Sequence, residues 1–259
     1  LPPHPTQCDR DYQAKFRENS KTFTWMLRHN KDAFSLKMDT GGWVRIDQFL
    51  AIARIGSPYG NTARRGPRTE RYWNEVPKIF KRFPPNEVSL LAMVKYNDKG
   101  RFQIALKRSS ATGSGMPYLI RSASGHSIPL DTFRLYVPLA YEHFDWISAL
   151  THQTPEENIL PIFKDGLIPG GPFGSSWAKR KEVNLAAFVP DDKRNKVGGR
   201  PNPRCNATII FGSSVLSGHN VFLASNGVIT SQDVLDSHYI EQVVVKGCSG
   251  HGRIYCLYD

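Results

Sequence analysis

Three basic segments of this 259-residue chain carry side chains that could hold and activate an anion. Arg28 and His29 close an apolar-periodic run, where a cation is favoured by the partial negative charge of a helix C-terminus. On its own such a pair serves structure as readily as chemistry. Arg121 ends a strand-like run and leads into Ser122-Ala123-Ser124-Gly125-His126-Ser127, whose small side chains let an anionic ligand approach closely. Lys193, Arg194 and Lys196 precede Gly198-Gly199-Arg200, which reads either as a basic ligand-facing loop or as a solvated turn. Guanidinium forks grip a phosphate through paired, charge-assisted hydrogen bonds, and an imidazole can orient or protonate an oxygen near neutral pH. No carboxylate cluster, CxxC or metal-ligand histidine spacing accompanies them, so no metal is expected. The cysteines Cys8, Cys205, Cys248 and Cys256 are scattered and are expected to be free thiols.

The elements that must position these groups change character along the chain. Ser20 to His29 reads as an amphipathic helix with Ser20 as its N-cap and Phe23, Met26 and Leu27 on one face. A turn over Met38 to Gly42, a strand over Trp43 to Ile46 and a short helix from Asp47 to Ile52 follow, an order that suggests a winged-helix type of lobe. Residues 56–86 break the pattern with Gly, Pro, Arg64, Arg65, Arg68 and Arg71, then a helix over Glu70 to Arg82. Tyr72, Trp73 and Phe80 lie among these cations. Such rings can stack on the bases of single-stranded nucleic acid, or they can form the core of a surface insertion. Val88 to Val94 and Arg101 to Leu106 flank Asp98-Lys99-Gly100 and read as a hairpin, with the next strand at Tyr118 to Arg121. The second half holds one helix, Pro155 to Lys164, and short strands near 148–154, 183–189, 207–211, 221–224, 228–230, 240–245 and 253–257. That pattern gives an α+β protein with a mixed sheet in its second lobe and a boundary near residue 140.

Charge supports the division. Residues 1–140 hold 23 Lys and Arg against 11 Asp and Glu, whereas residues 141–259 hold 11 against 12. The excess positive charge therefore lies in the first lobe, as expected of one that faces a polyanion. No run approaches the roughly 20 apolar residues of a membrane span, and no signal sequence opens the chain, so a cytoplasmic or nuclear setting and no membrane partner are expected. Residues 1–19, beginning Leu1-Pro2-Pro3, read as a linker or extension.

Taken together, these segments resemble the RNA 2′-phosphotransferase family. The resemblance spans about residues 20–245. It is carried by Ser20-Lys21 to Leu27-Arg28-His29 with Asp39 and Gly42-Trp43-Val44, and by Ile120-Arg121-Ser122-Ala123-Ser124-Gly125-His126-Ser127, similar to I-R-A-x-Q-G-H-S. It continues through His152-Gln153-Thr154, similar to H-G-T, with Asp165-Gly166-Leu167, then Val197-Gly198-Gly199-Arg200 and Ser225-Asn226-Gly227-Val228. The resemblance implies a winged-helix-like lobe that holds RNA (residues 20–140, with an insertion at about 56–86) and an ADP-ribosyltransferase-like lobe that holds NAD (residues 141–259). It implies an NAD-dependent reaction in which an internal RNA 2′-phosphate attacks the anomeric carbon of NAD and expels nicotinamide. A ribose hydroxyl then frees RNA with a 2′-OH and ADP-ribose 1″,2″-cyclic phosphate. Arg28, His29, Arg121 and Arg200 correspond to the family's catalytic quartet. His152 and Thr154, with Ser127 and Asn226, correspond to the cofactor side, and Arg64, Arg65, Arg68 and Arg71 are expected to contact RNA. A monomer is expected.

Departures lie on the NAD side. Gln153 stands at the centre of H-G-T, Ser124 stands where the family has Gln, and Arg180-Lys181-Glu182-Val183-Asn184 lacks both histidines of R-x-H-V-H. Two other readings therefore stay open: an ADP-ribosyltransferase acting on terminal phosphates of RNA or DNA, and a non-catalytic nucleic-acid-binding module.

Overall fold

The computed structural model describes residues 4–8, 10–29, 31, 36–55, 86–108, 115–147, 149–170, 181–195, 202–246 and 252–256. Its contacts divide the chain into Leu1–Thr132 and Phe133–Asp259, ahead of the boundary expected near 140. The fold is mixed α+β, built on antiparallel sheets. Among the described residues no helix is long and apolar enough to cross a membrane.

In the first unit α1 runs from Arg10 to His29. Residues 10–19, expected as linker, extend this helix, and Ser20 sits inside it rather than capping it. The reason is packing: Phe16 and the buried Asn19 and Ser20 continue the stripe of Phe23, Met26 and Leu27 one turn after another. Strand β1 is Val44–Arg45 and α2 is Ile46–Ile55. Helix α3, Glu87–Tyr96, occupies the run expected as the first arm of a hairpin. Asn86 and Ser89 form a reciprocal capping box at its start. Leu90 and Met93, three apart, are buried, which is helical rather than strand spacing. The real hairpin pairs β2, Phe102–Arg108, with β3, Gly115–Ser122. The sheet order is β1-β3-β2, with Val44 opposite Ile120 and Gln103 opposite Arg121. Phe102, Ile120 and Val44 face the helices and join Phe23, Phe49, Leu90 and Met93 in one core.

The second unit begins one residue into the short helix α4, Thr132–Leu135, and continues with β4, Val137–Leu139. Then come β5, Leu150–Thr154; α5, Ile159–Asp165; β6, Val183–Leu185; and β7, Ala207–Phe211. The chain continues through α6, Val215–Gly218, β8, Val221–Leu223, β9, Ile229–Ser231, β10, Ile240–Lys246, and β11, Gly252–Cys256. Two four-stranded antiparallel sheets result, in the orders β11-β10-β7-β5 and β4-β8-β9-β6. Thr151 and Ala186 exchange main-chain hydrogen bonds of 2.9 Å, so the edge of β5 meets the chain just beyond β6. Leu150, Ile209, Phe211, Val243 and Leu185 fill the core between them.

Candidate active site

The end of α1 and the loop after β3 form one hydrogen-bonded assembly. Ser127 N donates to Arg28 O at 3.1 Å, so the loop occupies a carbonyl that the helix end would otherwise leave open. Arg28 Nε donates to Ser122 Oγ at 2.6 Å, and the guanidinium lies against Gly125. A Cβ built on Gly125 would stand 3.2 Å from Arg28 Nη1, and its φ of +77° is one that side chains other than glycine rarely adopt. His29 Nδ1 is 2.9 Å from Ser127 Oγ, which fixes the plane of the imidazole.

Arg121 is 8% exposed, and three neutral groups help to hold it. Its Nε donates to Gln103 Oε1 at 2.6 Å and its Nη1 to the Gly41 carbonyl at 3.0 Å. Its Cζ stands 4.4 Å from the centre of the Trp43 ring. Asp39 prepares this corner by accepting from Gly41 N at 2.9 Å and Trp43 N at 2.8 Å. These neutral partners fix the orientation of the guanidinium.

His126 registers that field. It is 4% exposed, and neither ring nitrogen has a hydrogen-bond partner. Burial, then Arg28, His29 and Arg121, push its pKa from 6.5 down to about 3. His126 is therefore neutral at any working pH. Arg28, His29, Arg121 and Ser127 are thus brought to one loop. Ser127, expected with the cofactor residues, lies beside His29 in the first unit. Sequence reasoning missed Gln103 and the stacking role of Trp43. The Gln103–Arg121 pairing follows from the β2–β3 register and would have been visible had the hairpin been assigned to these strands.

The other expected residues lie elsewhere. His152 and Thr154 occupy alternate positions on β5. His152 Nδ1 is 3.0 Å from the Asn184 carbonyl; a carbonyl only accepts, so Nδ1 carries a proton. Thr154 is buried, and its Oγ1 accepts from Asn158 Nδ2 at 3.0 Å. Asn226 Oδ1 accepts from Val228 N at 3.3 Å, a bond that shapes its own turn. Gln153 Oε1 accepts from Asn202 N at 3.1 Å. Glu182 is buried and accepts from Tyr136 Oη at 2.8 Å. Asn184 Oδ1 is buried with no hydrogen-bond partner. Arg200 and the four arginines Arg64, Arg65, Arg68 and Arg71 lie outside the described residues. Among the described residues no group of three metal-ligating side chains occurs.

Comparison with known proteins adds the family context. Residues 15–233 match the RNA 2′-phosphotransferase, Tpt1 / KptA family. The chain is 25% identical over 220 residues to a probable RNA 2′-phosphotransferase of Rhizobium johnstonii, covering 84% of this chain and 89% of that one. It is 28% identical over 217 residues to a probable RNA 2′-phosphotransferase of Pseudomonas aeruginosa, with 84% and 92% covered. A third, from Hyperthermus butylicus, is 30% identical over 206 residues, covering 76% of this chain and 75% of that one.

Proposed function

This chain belongs to the RNA 2′-phosphotransferase (Tpt1 / KptA) family, and from that membership we propose that it removes an internal 2′-phosphate from RNA with NAD as co-substrate. The observation that carries this reading is the attachment of Arg28, His29 and Arg121 to one small-residue loop. A phosphate carrying two ionised oxygens needs fixed positive charge on more than one side, and two guanidinium groups, one anchored on Ser122 and the other on Gln103 and the Gly41 carbonyl, supply it. His29, with its ring plane set by Ser127, holds or passes a proton at a phosphate oxygen. Arg200 completes the quartet in this proposal, and Arg64, Arg65, Arg68 and Arg71 contact the RNA strand.

His152 and Thr154 hold the nicotinamide half of NAD, with Ser127 and Asn226 the lesser contributors. Bound there, NAD supplies an anomeric carbon that a phosphate oxygen attacks as nicotinamide departs. One observation supports the fit: the orphaned Asn184 Oδ1 is an acceptor on the residue whose carbonyl orients His152, and a carboxamide N–H would satisfy it. The first unit is read as a winged-helix-like RNA lobe, supported by the order α1, β1, α2 and the β2–β3 hairpin. The second is read as an ADP-ribosyltransferase-like lobe, supported by its two antiparallel four-stranded sheets.

The test is to incubate the protein with NAD and a short RNA bearing one internal 2′-phosphate and to resolve the products by mass. RNA with a 2′-OH, nicotinamide and ADP-ribose 1″,2″-cyclic phosphate are expected, and Arg121→Ala should abolish their formation while retaining the wild-type circular dichroism. Near-normal turnover by that variant would refute the assignment of Arg121. A second reading is favoured by the buried Glu182, a carboxyl group where the family pattern has an imidazole. A phosphate that keeps its ADP-ribose adduct would establish that reading, an ADP-ribosyltransferase acting on terminal phosphates of RNA or DNA. RNA binding with no reaction would leave a nucleic-acid-binding module.

A further inference from the structure

Arg101 is a half-buried cation whose structural task is already done by its neighbour. It stands at the end of the turn Asn97 to Arg101, between α3 and β2. Asn97 ties that turn to α1 through a 2.6 Å hydrogen bond from Nδ2 to Ser20 Oγ, and Asn97 Oδ1 accepts from the main chain of Lys99 and Arg101 at 3.2 Å each. The Arg101 guanidinium adds only two contacts at the outer limit of hydrogen bonding, Nη1 to Ser20 Oγ at 3.4 Å and to Asn97 Oδ1 at 3.5 Å. Both acceptors are neutral, and no carboxylate ion-pairs with Arg101 among the described residues. Burial disfavours its charge, and Asp98 in the same turn opposes that effect only through space. A partly desolvated guanidinium with such weak company is an arrangement that an anion would complete.

Its main chain is built into the loop described above. The Arg101 carbonyl accepts from Ala123 N at 2.8 Å and from Ser122 Oγ at 3.2 Å, and the same Ser122 hydroxyl accepts from Arg28 Nε. One serine oxygen therefore joins the backbone of Arg101 to the guanidinium of Arg28. Exposed Lys99 adds a further cation to the turn.

We propose that Arg101 holds a backbone phosphate of the RNA strand away from the 2′-phosphate, at the Ser20 turn about 12 Å along α1 from Arg28, so that the protein grips the strand beyond the modified ribose. This rests on the RNA reading above and sharpens it, because it gives the strand a second anchor outside the 2′-phosphate site. The salt dependence of binding counts such contacts. Each phosphate neutralised on a single strand contributes roughly 0.7 to the slope of log affinity against log salt.

The experiment measures fluorescence anisotropy of a labelled RNA pentamer with one internal 2′-phosphate across a salt series, for the wild type, Arg101→Gln, Arg101→Lys and Asn97→Ala. Arg101→Gln is expected to lose about 0.7 of the slope and on the order of ten-fold in affinity. Arg101→Lys, which keeps the charge, should retain the slope even if Arg101→Gln folds poorly. Asn97→Ala loosens the turn without removing a cation and should also retain it. An unchanged slope in Arg101→Gln, or an equal fall in Asn97→Ala, overturns the proposal. Turnover is read separately on the same RNA. If the wild type releases no phosphate while the slope difference stands, the phosphate contact survives and the phosphotransferase reading fails.

Discussion

The neutrality of His126 should be measurable as a dependence of stability on pH. Its folded pKa lies at about 3, chiefly through burial and then through Arg28, His29 and Arg121, whereas the unfolded ring titrates near 6.5. Between those values the unfolded chain binds the extra proton. The contribution is therefore fully present above pH 6.5 and is lost as pH falls toward 3. From pH 7 to pH 5 the unfolded ring gains most of a proton and the folded ring almost none, a loss of about 2 kcal/mol. The figure is robust, since any folded value below about 4 gives nearly the same loss over that interval. Denaturant unfolding followed by tryptophan emission at both pH values, for the wild type and His126→Gln, isolates the effect because all other titrations are shared. The wild type should lose about 2 kcal/mol more than the variant. Equal losses would refute the argument and show that His126 is protonated in the folded protein or is solvated there.

Two further substitutions test how the cations are held. Gly125→Ala forces a side chain into a φ of +77° with its Cβ 3.2 Å from Arg28 Nη1. It should lower stability by about 1–2 kcal/mol and phosphate removal by more than that loss of folded protein explains, as read from melting curves beside kcat/KM. Wild-type kcat/KM would show that Arg28 can move freely. Gln103→Leu deprives the buried Arg121 Nε of its acceptor and should reduce kcat/KM by roughly ten-fold or more. Gln103→Glu should act with opposite signs, raising the melting temperature while weakening the binding of 2′-phosphorylated RNA, because a carboxylate there adds negative charge against Arg121 Nε. If Gln103→Glu binds that RNA as tightly as wild type, the charge of Arg121 is not what the anion meets.

What could be read in advance divides along physical lines. The strands of the second unit announced themselves through short β-branched runs such as Ala207 to Phe211 and Ile240 to Val245, which the pairing of β7 with β10 uses. Val88 to Val94 misled because a continuous apolar run has no period to separate strand from helix, and the deciding signal was the small polar pair Asn86 and Ser89. The start of α1 was hidden because residues 10–18 are mostly polar, and only packing of the next turns shows which face is buried. At the site, the types and order of Arg28, His29 and Arg121 were legible. Their supports were not, since Gln103 reaches Arg121 through a strand register that shifts between Ala105 and Leu106. Ser127 reaches His29 through a helix-end carbonyl that no side-chain pattern encodes.

The bond between Arg28 and Ser122 joins positions 94 apart. During synthesis the helix that ends in Arg28 and His29 leaves the ribosome long before the loop that will occupy its last carbonyl. For that interval the arginine lacks its bond to Ser122. The arrangement of Arg28 and His29 is completed late, when residues 121–127 close on the helix end and the long-range contacts form together. A fragment that stops short of Ser127 would keep the cations but not their arrangement.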